Sequence, residues 1–169
     1  MLIGYMAKNI RYQGSGSSHI NPTRLVSLTD AMPEAPFVAC CDAEGVVTAD
    51  GLREAAAAAS SHTVAVVVAG LPDAYESEAG DREHMGLPEG HNRMIDAVAQ
   101  ANPNTVVVLL GGSPMELPWA DKVKAILYMG LSGQAGGQAA ANLLTGRVNP
   151  SGKLTETWPL SYADVISKE

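Results

Sequence analysis

Long apolar runs, clustered basic residues and spaced cysteines are all missing from this chain, and each absence closes off a class of function. No stretch approaches the roughly 20 apolar residues that a membrane-spanning helix needs. The first residues lack the basic region, apolar core and small-residue cleavage site of a secretion signal. Lysines and arginines number 11 against 18 aspartates and glutamates, for a net charge of −7, and they form no run. Phosphate backbones and anionic lipid surfaces are held by clustered cations, so neither nucleic acid nor membrane is expected as a partner. Cys40 and Cys41 are neighbours, so they point to opposite sides of a strand and cannot staple distant segments. They read as buried thiols rather than metal or redox groups. Together with the lack of a leader at Met1, they lean the expected compartment towards the cytoplasm.

What is present is a chain of 169 residues, 46% apolar, enough for one domain over residues 1–169 with a real core. Five short runs rich in β-branched residues read as strands: LIGYMA from Leu2, PFVACC from Pro36, TVAVVVAG from Thr63, TVVVLLG from Thr105 and KAILYMG from Lys124. The third and fourth are apolar without alternation, the pattern of parallel strands covered on both faces. Between the strands lie helical segments. One follows His19, with Asn21 as cap and Pro22 at the first helical position. Others are TADGLREAAAAASS behind Thr48, residues 89–101 with Met94, Ile95 and Val98 on one face, and GQAGGQAAANLLTG ending on Gly146. The crossover between Gly111 and Val123 has room for only a short turn around Trp119. The expected fold is a three-layer α/β/α sandwich around a mainly parallel sheet of five to six strands with flavodoxin-like winding, the sixth an edge strand at T-E-T-W, residues 155–158.

In a sheet ordered 2-1-3-4-5, ligands bind where the winding reverses, between the first and third strands. The loops leaving those two strands, AKNIRYQGSGSSH and LPDAYESEAGDREHMGLP, are also the longest connections, against about 2 to 6 residues in most α/β units. The first holds GSGSS, residues 14–18. It lacks the lysine of a Walker loop and the third glycine of a dinucleotide fingerprint, which leaves a sugar-contacting loop or a flexible connector. The second carries Asp73, Glu76, Glu78, Asp81 and Glu83. Crowded carboxylates raise one another's pKa, as a general acid requires. A Mg²⁺ or Ca²⁺ site is the rival, although the spacing fits no EF-hand and His84 has no second histidine beside it. A solvated acidic surface loop is the third reading.

The segments RYQGSGSSHINP, residues 69–119, LSGQAGGQAAANLL and NPSGKLTETWP resemble, in order and over nearly the whole chain, the second, α/β sandwich domain of family 3 glycoside hydrolases, the β-glucosidase group. The resemblance implies a retaining enzyme, in which a (β/α)8 barrel supplies an aspartate nucleophile and the sandwich domain supplies the acid/base glutamate in a Glu-Gly-x-Asp-Arg motif. The matching residues are Glu78, Ala79, Gly80, Asp81 and Arg82, which nominates Glu78 as acid/base, Asp81 and Arg82 as loop supports, and Ser17 or Ser18 as a sugar contact. Ala79 departs from the family's glycine; if the position needs positive φ, alanine costs about 1 kcal/mol or pushes the turn onto Gly80. The resemblance calls for no metal or organic cofactor. The implied partners are a barrel domain of the same enzyme and a small saccharide. The chain is then expected to be a fragment of a longer glycosidase, inactive alone, a view the abrupt apolar start after Met1 also suggests. A non-catalytic sugar-binding or interdomain module is the alternative, and nucleotide binding a weaker third. Trp119 and Trp158 read as packing residues, Met94 and Met115 as core fillers, and His19 and His62 as local hydrogen-bonding groups.

Overall fold

A computed structural model describes residues 1–166. Five parallel strands, β1 (Leu2–Ile3), β2 (Phe37–Val38), β3 (Ala65–Gly70), β4 (Thr105–Leu110) and β5 (Ala125–Gly130), form one sheet in the order β2-β1-β3-β4-β5, the flavodoxin-like order. The helices are α1 (Leu28–Ala31), α2 (Ala49–Ser60), α3 (Glu89–Ala101) and α4 (Gly136–Leu144). Unbroken hydrophobicity in β3 and β4 has its expected cause. Ala65, Val67 and Ala69 pack with Val107 and Leu109 against α2 and α3, whereas Val66 and Val68 join Val108 and Leu110 against α1 and α4. Successive side chains leave a strand on opposite faces, so a strand with helices above and below must be apolar at every position.

The central strands are six residues long and in register over their length, Ala65 opposite Thr105 through Gly70 opposite Leu110. β1 and β2, two residues each, are shorter than the apolar runs suggest. Gly4, at φ +107°, turns the chain out of β1 into a 3-10 turn at Tyr5–Ala7, and a Cβ there would lie 2.2 Å from the Val68 carbonyl oxygen. In α2, Thr48 caps the helix by accepting from the Gly51 N–H at 3.0 Å. The turn near Trp119 is a 3-10 turn at Ala120–Lys122, and Trp119 is fully buried with its indole N–H donating to Asn92 Oδ1 at 3.0 Å. Met94 and Met115 are core residues.

Three expectations change. The first helix does not start at Asn21 and Pro22: the Gln13 side chain pairs with both the N–H and the carbonyl of Ile20, and the Val26 N–H donates to the Gln134 carbonyl, which keeps the intervening chain irregular. A full capping box, Ser27 reciprocal with Asp30, opens the single turn α1 further along. Helix α4 starts at Gly136 rather than Gly133, because residues 133 and 134 pair with Tyr12 and Val26 instead. No sixth strand forms among the described residues. The tail bends at Thr155 and Glu156, and Trp158 packs its ring edge-on against Tyr128, centroids 4.9 Å apart, in place of backbone pairing along β5.

Cys41 is buried and Cys40 half-buried, and both are free. Burial raises both thiols, Cys40 to about 11, so they stay protonated and unreactive near neutral pH.

Candidate functional site

The loops after β1, β3 and β4 emerge together at the C-terminal edge of the sheet, and the β3 loop is fixed at both feet. Leu71 and Pro72 are buried where it leaves the strand, and Met85, Leu87 and Pro88 are buried where it returns to α3. The Glu116 N–H donates to the Met85 carbonyl at 2.9 Å, tying that return to the β4 loop. Between the feet, residues 77–81 are all exposed. Apolar feet and a polar crest are what the sequence LPDAYESEAGDREHMGLP encodes.

Glu78 stands on the crest. Ser15 and Ser77 form a one-residue parallel bridge, the Glu78 N–H donates to the Ser15 carbonyl at 3.1 Å, and the Ser17 N–H donates to Glu78 Oε2 at 2.7 Å. Gly16 makes that last contact possible: at φ +132°, a Cβ on it would lie 2.6 Å from Glu78 Cβ and 2.7 Å from Oε2. The backbone N–H and the hydroxyl of Ser17 hold the Glu78 carboxyl below the usual carboxylate range, against a small opposing effect of burial. Mutual repulsion does not set its pKa, contrary to the expectation from composition: no neighbouring acid contributes to the shift, and Asp73 and Glu76 face Arg11 instead. Among the described residues, no three His, Cys, Asp or Glu side chains are grouped to hold a metal ion.

Glu76 turns inward. Its carboxylate accepts from Arg11 Nη1 at 2.6 Å, from the Gly112 N–H at 2.9 and 3.0 Å, and from the Ser113 hydroxyl. Arg11, with only 4% of its side chain exposed, also donates to the Leu71 carbonyl at 2.6 Å and has Nε 3.1 Å from Asp73. Arg82 donates to the Pro114 carbonyl at 2.8 Å. Asp81 is exposed and makes no hydrogen bond or ion pair among the described residues, and Ser18 is exposed beside Ser17. Sequence reasoning misses the pair between Arg11 and Glu76. Its signal is a loop that carries two cations, Lys8 and Arg11, and no acid, facing across the switch point a loop with surplus acids.

The glycosyl hydrolase family 3 C-terminal domain matches residues 1–169. The thermostable beta-glucosidase B of Acetivibrio thermocellus is 53% identical over 96% of this chain, and an exo-alpha-(1->6)-L-arabinopyranosidase of Bifidobacterium longum is 40% identical over 96%. The crystal structure of a Bifidobacterium adolescentis GH3 beta-glucosidase superposes with a TM-score of 0.91 at 39% identity, over 96% of this chain and 25% of that one. The chain spans 22% of the length of the two curated relatives. With the family model spanning residues 1–169 and the fold superposing over nearly all of the chain, this chain belongs to the glycosyl hydrolase family 3 C-terminal domain family.

Proposed function

We propose that Glu78 is the proton-transfer carboxylate of a retaining β-glycosidase, and that this chain is the domain delivering it to a cleft whose opposite wall, with the attacking aspartate, belongs to a (β/α)8 barrel of the same enzyme. The observation that carries this reading is the placement of Glu78: an exposed crest at the switch-point edge of the sheet, with its carboxylate oriented by the neighbouring loop rather than left free.

The electrostatics explain why two domains would be needed. In this chain Ser17 favours the ionised form of Glu78, which suits a base. To act first as an acid, the same group must hold a proton near neutral pH. Closing a barrel wall over the crest would desolvate it and set a second carboxylate about 5 to 5.5 Å away, and both changes raise its pKa. Protonated Glu78 would then give its proton to the leaving glycosidic oxygen while the aspartate attacks the anomeric carbon. Ionised Glu78 would next draw a proton from the water that cleaves the glycosyl-enzyme. Ser18, exposed on the adjoining loop, or the Ser17 hydroxyl would contact the terminal sugar of a small saccharide, and Arg82 holds the trailing side of the crest. The chain alone contains no attacking aspartate in this scheme and is inactive.

The test is Glu78→Ala in the longer enzyme that carries this domain. Hydrolysis of alkyl glucosides should fall by about 10²- to 10⁴-fold, the usual contribution of general acid–base catalysis. Dinitrophenyl glucoside, whose leaving group needs no proton, should suffer far less in its first step, and azide should restore turnover. Equal losses on both substrates with no azide effect would refute the assignment.

A further inference from the structure

We infer that Glu76 is the positioning residue of the proton-transfer loop, clamping it to the β1 and β4 loops and so setting where Glu78 stands. The inference rests on Glu78 being the proton-transfer carboxylate. Only Ser77 separates the two glutamates, so fixing Glu76 fixes the Glu78 Cα to within about 7 Å of chain. The clamp is a near-buried carboxylate, its side chain 14% exposed, filled by donors from two other loops: the Arg11 guanidinium, the Gly112 amide and the Ser113 hydroxyl. Arg11 supplies the matching positive charge and is itself bound to the Leu71 carbonyl at the foot of the same loop.

The trailing side of the crest is fastened to the same place. Arg82 donates to the Pro114 carbonyl, so Glu76 and Arg82 grip consecutive residues of the β4 loop, 112–113 and 114, from either side of the exposed span. Five exposed residues bearing the reactive group, 77–81, are thereby held at two points on one neighbouring loop. Charge-assisted bonds of this kind are the strong ones, and a small misplacement of a reacting group is costly: about 1 Å can lose 10²-fold in rate.

Glu76→Gln keeps the size but removes the charge, and leaves Arg11 with the exposed Asp73 as its remaining carboxylate. In the longer enzyme it should lower kcat for alkyl glucosides by about 10- to 100-fold while largely sparing dinitrophenyl glucoside. Ser113→Ala, which removes one donor and leaves the ion pair intact, should lower it in the same pattern by a smaller factor, and it decides the matter if the first variant folds poorly. In the isolated chain, Glu76→Gln should speed amide exchange at Glu78 and leave β3 and β4 unchanged. An equal loss on all leaving groups, or unchanged exchange at Glu78, overturns the inference. Glu78→Ala in the same assay separates the two readings: if it too shows no leaving-group dependence, the assignment of Glu78 fails, whereas if it alone shows one, only the role of Glu76 fails.

Discussion

The Ser17 backbone N–H donates to Glu78 Oε2 across 2.7 Å, joining the loops that leave the first and third strands at the one carboxylate on the crest that is held in this way. Because this bond is to the charged form, the folded-state pKa lies below the ordinary value of 4.5. The resulting stabilisation is present above that ordinary value and is lost as pH falls through the folded pKa. Ser17→Ala removes the hydroxyl but not the N–H. We expect the Glu78 carboxyl titration, followed by carbon NMR in the isolated chain, to move upward part of the way to 4.5.

Gly16→Ala should move the same titration further. Its Cβ would collide with the Glu78 side chain at 2.6 Å, and the positive φ adds strain, so Glu78 must leave Ser17. The expected result is a fully ordinary carboxyl pKa at Glu78 with a normal fold by circular dichroism; a pKa still depressed would contradict the geometry.

Ala79 sits at φ +64°, in the left-handed region where a Cβ is penalised. Gly80 is not among the glycines with positive φ, so the turn has not slid onto it. Ala79→Gly should therefore stabilise the chain by roughly 0.5–1 kcal/mol, the left-handed penalty less the extra backbone entropy of glycine. Urea unfolding would register it as a higher midpoint at unchanged slope.

His91 is 1% exposed, with Nδ1 3.0 Å from the Gly70 carbonyl oxygen, and burial pulls its pKa below the ordinary 6.5. The unfolded chain thus binds a proton that the folded chain refuses, and stability falls as pH drops from 6.5 towards the folded value. Replacing His91 by Gln should flatten that acid-side slope, although the lost packing lowers stability at every pH. A slope unchanged between the two proteins would assign the acid sensitivity elsewhere.

Trp119 fills the core between α3 and β4 and bonds Asn92. Trp119→Ala should cost about 3–5 kcal/mol. Asn92→Ala should cost about 1–3 kcal/mol for the unpaired indole N–H. Chemical denaturation of both variants gives the comparison.

Local patterning in the sequence foretells much of this molecule. The doubled apolar faces of β3 and β4, the Thr48 cap and the amphipathic α3 each follow from residues within one element. The features it hides depend on pairing at a distance. Asn21 and Pro22 are sound helix-start residues, yet Gln13 and Gln134 claim the neighbouring backbone first. The T-E-T-W alternation offers no apolar face to bury: Thr155, Glu156 and Thr157 are exposed, and Trp158 packs its ring edge-on against Tyr128 instead. At the site, composition marks the β3 loop as unusual but cannot separate an inward glutamate from an outward one. Glu76 and Glu78 differ only in what the other two loops present to them.

The single residue pair between Ser15 and Ser77 makes the two loops a vernier: inserting one residue ahead of either serine slides the carboxylate by about 3.3 Å along its neighbour. Length changes in a redesigned site therefore belong beyond Ser18 or beyond Arg82, where they lengthen a rim without resetting the reactive group.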